Sequence, residues 1–159
     1  MTSNGGTYLL PDRLEPDLYR VRAYWNGLKR GENDIPFWDD VNFSMKTRLA
    51  CDILLIEAFE SPLRFRLDLV GDDITQRYGT TITGKFSDEI DLHAPIDELT
   101  NQCRATVERR APTYFRRVPS KQPQTAGEIG YSRLILPLWG GARVEMLLGA
   151  VVDTNWLLA

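Results

Sequence analysis

Apolar side chains recur at Leu14, Leu18, Val21, Trp25 and Leu28, in steps of four, three, four and three. That rhythm places them on one stripe and predicts an amphipathic helix within 13–31, closed near Gly31. Arg13, Glu15, Asp17, Arg20 and Arg22 fall off the stripe and are expected to face water. The stripe needs a partner surface, either its own domain or a second copy of the chain. Residues 33–43 read as irregular around Pro36, with Phe37, Trp38 and Phe43 as expected anchors. Ser44 is placed to cap a short helix reaching Ala50.

The period then changes to two. Asp52 to Phe59 and Leu63 to Val70 read as strands joined by Glu60-Ser61-Pro62. In the second, Leu63, Phe65, Leu67 and Leu69 alternate with Arg64, Arg66 and Asp68, the pattern of a sheet with two unlike faces. Gly71 ends that strand, and Asp72 to Tyr78 predicts a short helix stopped by Gly79. Thr80 to Thr83 reads as extended, with a further helical piece around Asp88 to Leu92. Pro95, Asp97 and Glu98 open a longer helix whose buried stripe is Ile96, Leu99, Cys103 and Val107. Ala111-Pro112 ends it. The last third predicts strands at Tyr114–Val118, Tyr131–Trp139 and Arg143–Val152, with a polar loop at Ser120–Gly127 and a hairpin at Gly140-Gly141. Val144, Met146, Leu148, Ala150 and Val152 are expected to share one face. Helix, strand pair, helices, then three strands is the order of an α+β domain around an antiparallel sheet.

Composition narrows the classes. The chain has 159 residues, the length of one domain. Lys and Arg number 19 against 22 Asp and Glu, a formal charge of −3, so nothing pulls it as a whole toward nucleic acid or an anionic membrane. The most apolar run, Ile53 to Ile56, is framed by Asp52 and Glu57 and is far too short to span a bilayer. MTSNGGTYLL lacks the basic and apolar regions of a secretory signal. Cys51 and Cys103 are isolated, which reads as two reduced thiols, and the expected compartment is the cytoplasm.

Little catalytic chemistry is on offer. Gly79-Thr-Thr-Ile-Thr-Gly84-Lys85 matches a phosphate-binding loop until Phe86 replaces the Ser or Thr that would hold magnesium. His93, the single histidine, has no partner at metal spacing. Asp39-Asp40, Asp72-Asp73 and Asp88-Glu89 are sequence neighbours, which point apart on regular structure. Positive charge does cluster: Arg104, Arg109, Arg110, Arg116 and Arg117 share 104–117 with Glu108 alone among acids. Such a cluster complements a helix C-terminus or offers a surface to an acidic partner.

Several short elements, taken in order, resemble the PAS domains, in particular the short single-domain alphaproteobacterial type. They are Tyr24-Trp25, Pro36, the stretch LRFRLDLVGDD from Leu63 to Asp73, Tyr78-Gly79, Thr83-Gly84-Lys85 and Leu136-Pro137-Leu138. The resemblance spans roughly 20 to 150. It implies a five-stranded antiparallel sheet of order 2-1-5-4-3 with helices on one face. It also implies an N-terminal amphipathic helix of the kind used for dimerisation. Three regions follow: a flexible tail at 1–12, the helix at 13–31 and the PAS-like domain at 32–159.

The resemblance implies a cytoplasmic, non-enzymatic sensory or regulatory domain that binds a small molecule or a protein partner in signal transduction. Flavin-binding members carry Asn-Cys-Arg, whereas here Gln102 intervenes in Asn101-Gln102-Cys103-Arg104, which argues against flavin. His93, without a second signal beside it, argues against haem as well, so the cofactor is left unknown. Phe65, Leu67, Tyr78, Trp139 and Met146 are the expected ligand-binding residues. Leu18, Val21, Trp25, Arg109 and Arg110 are the expected partner-binding residues, the first three in a homodimer. With no output module in view, a signal would leave by protein contact. A small α+β cavity enzyme and a pure interaction scaffold are the alternatives.

Overall fold

The computed structural model describes residues 7–42, 52–118 and 130–153. The expected helix from Ser44 to Ala50, Phe43, Cys51 and the Ser120–Gly127 loop lie outside them. Five strands form one antiparallel sheet: β1 (Asp52–Phe59), β2 (Arg64–Val70), β3 (Thr113–Arg117), β4 (Tyr131–Trp139) and β5 (Val144–Asp153). Their order is β2-β1-β5-β4-β3, the PAS arrangement implied by the resemblance. Among the described residues three α-helices join the sheet in an α+β fold: α1 (Pro16–Gly27), α2 (Asp72–Tyr78) and α3 (Leu99–Arg109).

Each face of the sheet carries a separate core. Leu54, Ile56, Phe65, Leu67, Ile135, Leu147 and Val151 face α2 and α3. Ile53, Leu134, Leu136, Leu138, Leu148 and Ala150 face α1, where Leu14, Leu18, Val21 and Trp25 cover them. Of the two partner surfaces open to the helical stripe, the chain's own sheet is the one realised. Both faces of β4 are covered, so its residues from Tyr131 to Leu138 are all buried. Pro137 is tolerated there because β3 pairs only with residues 131–135, so no ladder bond from β3 is asked of position 137.

Two bulges overturn the simple alternation. In β2, Leu55 pairs with Leu69 but Ile56 pairs with Leu67, leaving Asp68 unpaired. Leu69 therefore joins Leu55 on the α1 side, while Phe65 and Leu67 face the helices. In β5, Leu138 pairs with Met146 and Trp139 with Val144, so Val144 turns to the face opposite Met146. A slip of one residue reverses every side chain beyond it.

Gly79 and Gly84 adopt positive φ, 110° and 87°. The segment between them is a turn, not the expected strand, with Ile82 in the core. Gly84 N donates to Leu67 O at 2.7 Å and Leu67 N to Lys85 O at 2.9 Å, so the phosphate-loop lookalike covers the edge of β2. Arg64 pairs with Asp88 at 2.7 Å, and Arg66 with Asp68 at 2.6 Å and Glu57 at 2.7 Å.

Part of the expected tail is tied down. Tyr114 N donates to Tyr8 O at 3.0 Å, and Tyr8 Oη donates to Glu98 at 2.7 Å. Glu15, expected in water, is buried and accepts bonds from the hydroxyls of Tyr114 and Ser132. Trp38, expected as an anchor, is 42% exposed.

Candidate functional site

The helix-covered face of the sheet holds a charged group inside the core. Arg133 of β4 shares the parity of Tyr131 and Ile135, so the pleat directs it at α3, and it is fully buried. Nε donates to Gln102 Oε1 at 2.7 Å, Nη1 to Pro95 O at 3.0 Å and Nη2 to Asp97 O at 2.9 Å. All three acceptors are neutral, and among the described residues no carboxylate lies at ion-pair distance. Burial pulls its pKa down to about 10.

The network extends into α3 and β3. Gln102 Nε2 donates to Thr113 Oγ1 at 3.1 Å and to Arg133 O at 3.2 Å. The Thr106 and Thr113 hydroxyls meet at 2.6 Å. The guanidinium lies 4.9 Å from the Phe115 ring centre and 6.0 Å from that of Tyr131. Beside it, among the described residues, the buried Tyr131 hydroxyl and Asp97 Oδ1 find no hydrogen-bond partner. Asp97 Oδ2 holds Arg117 Nε at 2.7 Å. A buried cation costs several kcal/mol in desolvation, on the order of what its hydrogen bonds return. The segment before α3 is thus clamped to the sheet by a polar cluster of small net worth.

Cys103 lies next to Gln102 in this core, and burial pushes its thiol up to about 12. It is expected to be inert as a nucleophile. With Cys51 replaced by Ser, modification of Cys103 by a disulfide reagent at pH 8 should follow global unfolding. Labelling far faster than unfolding would show an open site.

The five expected ligand residues do not share a pocket. Phe65 and Leu67 are buried core, 1% and 0% exposed. Tyr78 sits at the end of α2, donating to Asp91 O at 2.7 Å. Met146 is on the opposite face, under α1, where the alternation of β5 puts it with Leu148 and Ala150; the bulge at Glu145 turns only Val144 toward α2 and α3. Trp139 lines a separate hollow of about 280 Å³ with Asn33, Asp34, Ile35, Phe37 and Arg110.

Of the partner residues, Leu18, Val21 and Trp25 lie against the sheet, with Trp25 Nε1 donating to Pro137 O at 2.8 Å. They are not available to a second molecule in this packing. Arg109 Nη1 donates to Thr7 O at 2.6 Å. Arg110 is exposed, in left-handed conformation at φ 53°, with its Cζ 5.5 Å from the Trp139 ring centre. The arginine cluster is thus dispersed: Arg117 is paired, Arg109 holds the tail, and Arg110 reaches the hollow.

His93 stacks on Tyr78, centroids 4.2 Å apart and 6° from parallel. Its Nε2 faces Tyr78 O at 3.0 Å and its Nδ1 faces Asp91 at 2.7 Å. Two acceptors on one ring favour imidazolium, and the Tyr78 carbonyl, then Asp91, raises its pKa above the ordinary value. A raised folded pKa adds stability that is complete below the unfolded value and lost as pH rises through the folded one. Urea midpoints should therefore fall slightly as pH rises above about 6.5. This exposed site contributes under about 0.5 kcal/mol, and His93→Ala should flatten that part of the profile.

No protein-family model matches the chain, and no curated protein matches it. Among solved structures, a fungal LOV domain photoreceptor matches at 14% identity and a TM-score of 0.45. The alignment covers 86% of this chain and 88% of that one. The sheet order given above, independent of that likeness, is what identifies the fold.

Proposed function

We propose that the chain is a sensory or regulatory domain of the PAS type, acting by binding a small molecule or a protein partner rather than by turnover. The observation that carries this reading is the clamp at Arg133. Beside the apolar contacts of Leu99 and Cys103, α3 is joined to the sheet by a buried cation on neutral acceptors, where a further apolar contact would hold more firmly. The reading requires that this joint have a second arrangement close in free energy, which a binding event would bias.

In this reading the domain resembles the short alphaproteobacterial type, works in the cytoplasm and signals by contact. A homodimer would use the outer side of α1, where Tyr19 is 63% exposed, since the apolar stripe is covered. Native-state hydrogen exchange tests the joint. Amides of α3 are expected to open together at a free energy below that of β4 and β5. If α3 opens only with the sheet, in global unfolding, it is no switch and the reading fails.

A further inference from the structure

The hollow beside Trp139 combines features that neither its aromatic wall nor its charges explain singly. Ile35, Phe37 and Trp139 form the apolar side. Backbone pairing fixes that wall, because Trp139 N donates to Pro36 O at 2.7 Å and Phe37 bridges to Trp139. Two opposite charges border it, Asp34 and Arg110. Among the described residues neither side chain has a hydrogen bond or ion pair, and they do not pair with each other; the guanidinium carbon lies 5.5 Å from the Trp139 ring centre.

A ligand bearing only a carboxylate would be drawn to Arg110 and repelled by Asp34, and an amine would meet the reverse. A molecule carrying both charges meets both groups favourably. Its remaining part must be apolar and flat to lie on Phe37 and Trp139. We propose that this hollow binds a free α-amino acid with an aromatic side chain. The carboxylate sits at Arg110, the ammonium at Asp34 and the ring along the aromatic wall. Asn33 supplies a further polar contact at the rim. In naming a ligand the proposal rests on the binding role above, but it uses no residue of the Arg133 clamp.

The test is a titration of the ¹⁵N-labelled full chain with L-phenylalanine, with phenylacetate and phenethylamine as single-charge controls. Saturable shifts are expected at the Trp139 indole and at the amides of 33–37 and 110. L-phenylalanine should bind about tenfold more tightly than either control, as expected for one added charge contact. Arg110→Gln and Asp34→Asn, both at exposed positions, should each weaken it about five- to tenfold while leaving distant resonances in place. No shift up to about 10 mM, or equal affinity in both variants, overturns the proposal. If that happens while α3 still opens independently of the sheet, the sensory reading stands and this ligand does not.

Discussion

Arg133→Ala is expected to lose about 3–5 kcal/mol of stability, the largest loss from any single polar substitution in this domain. Truncation removes a clamp and leaves Pro95 O, Asp97 O and Gln102 Oε1 buried without their donor. Each orphaned acceptor costs about 1–3 kcal/mol, and a cavity opens beside Phe115 and Tyr131. Total stabilities of 5–15 kcal/mol are typical, so the variant should be close to unfolding. The contrast that makes this informative is Arg133→Met combined with Gln102→Leu. That pair removes the cation and one acceptor together, fills the volume and should recover most of the loss. Urea midpoints of the three chains decide it. A loss below about 1 kcal/mol for Arg133→Ala would mean that the guanidinium is solvated and that no buried clamp exists.

Trp25→Ala is expected to cost a comparable 3–5 kcal/mol, approximately, by emptying the largest contact between α1 and the sheet. The indole is 3% exposed, and its N–H is the donor for Pro137 O. Because the stripe rests on its own sheet, the cost should be the same at about 1 and about 100 μM protein. A loss that vanishes on dilution would instead place Trp25 in an interface between copies.

The elements were largely readable because each is marked by local physics. Period two marked β2 and the shared face of β5, apolar runs marked β1 and β4, and Gly71 and Gly79 bracket α2 at its observed ends. The faces were less readable. Leu69 and Val144 sit opposite to where alternation put them because single extra residues, Asp68 and Glu145, bulge their strands. Bulges depend on the partner strand and leave no local signal. Met146 lies behind the sheet for a plainer reason: it shares the parity of Leu148 and Ala150, while Trp139 faces the other way.

The polar groups were the least readable. Arg133 is not among the expected site residues, although its alternation with Tyr131 and Ile135 marks it as inward. That parity was the available signal. Glu15 lies next to Leu14 at the edge of the helical stripe, and its burial follows from Tyr114 and Ser132 arriving from strands about a hundred residues away. Of the arginines at 104–117, only their separate destinations in the fold show which are free to meet a ligand. Arg110 and Trp139 were both singled out, for different roles; their meeting in one hollow required the fold.

Native mass spectrometry of the purified full chain, recorded with its absorption spectrum, most directly asks whether this domain works by binding. A sensory domain should carry, or take up from a cell extract, a small molecule of defined mass that acid releases unchanged. The same spectrum reports whether one copy or two hold it. A chain that stays at its bare polypeptide mass in the extract, or that converts what it binds into a different mass, would contradict a sensory role.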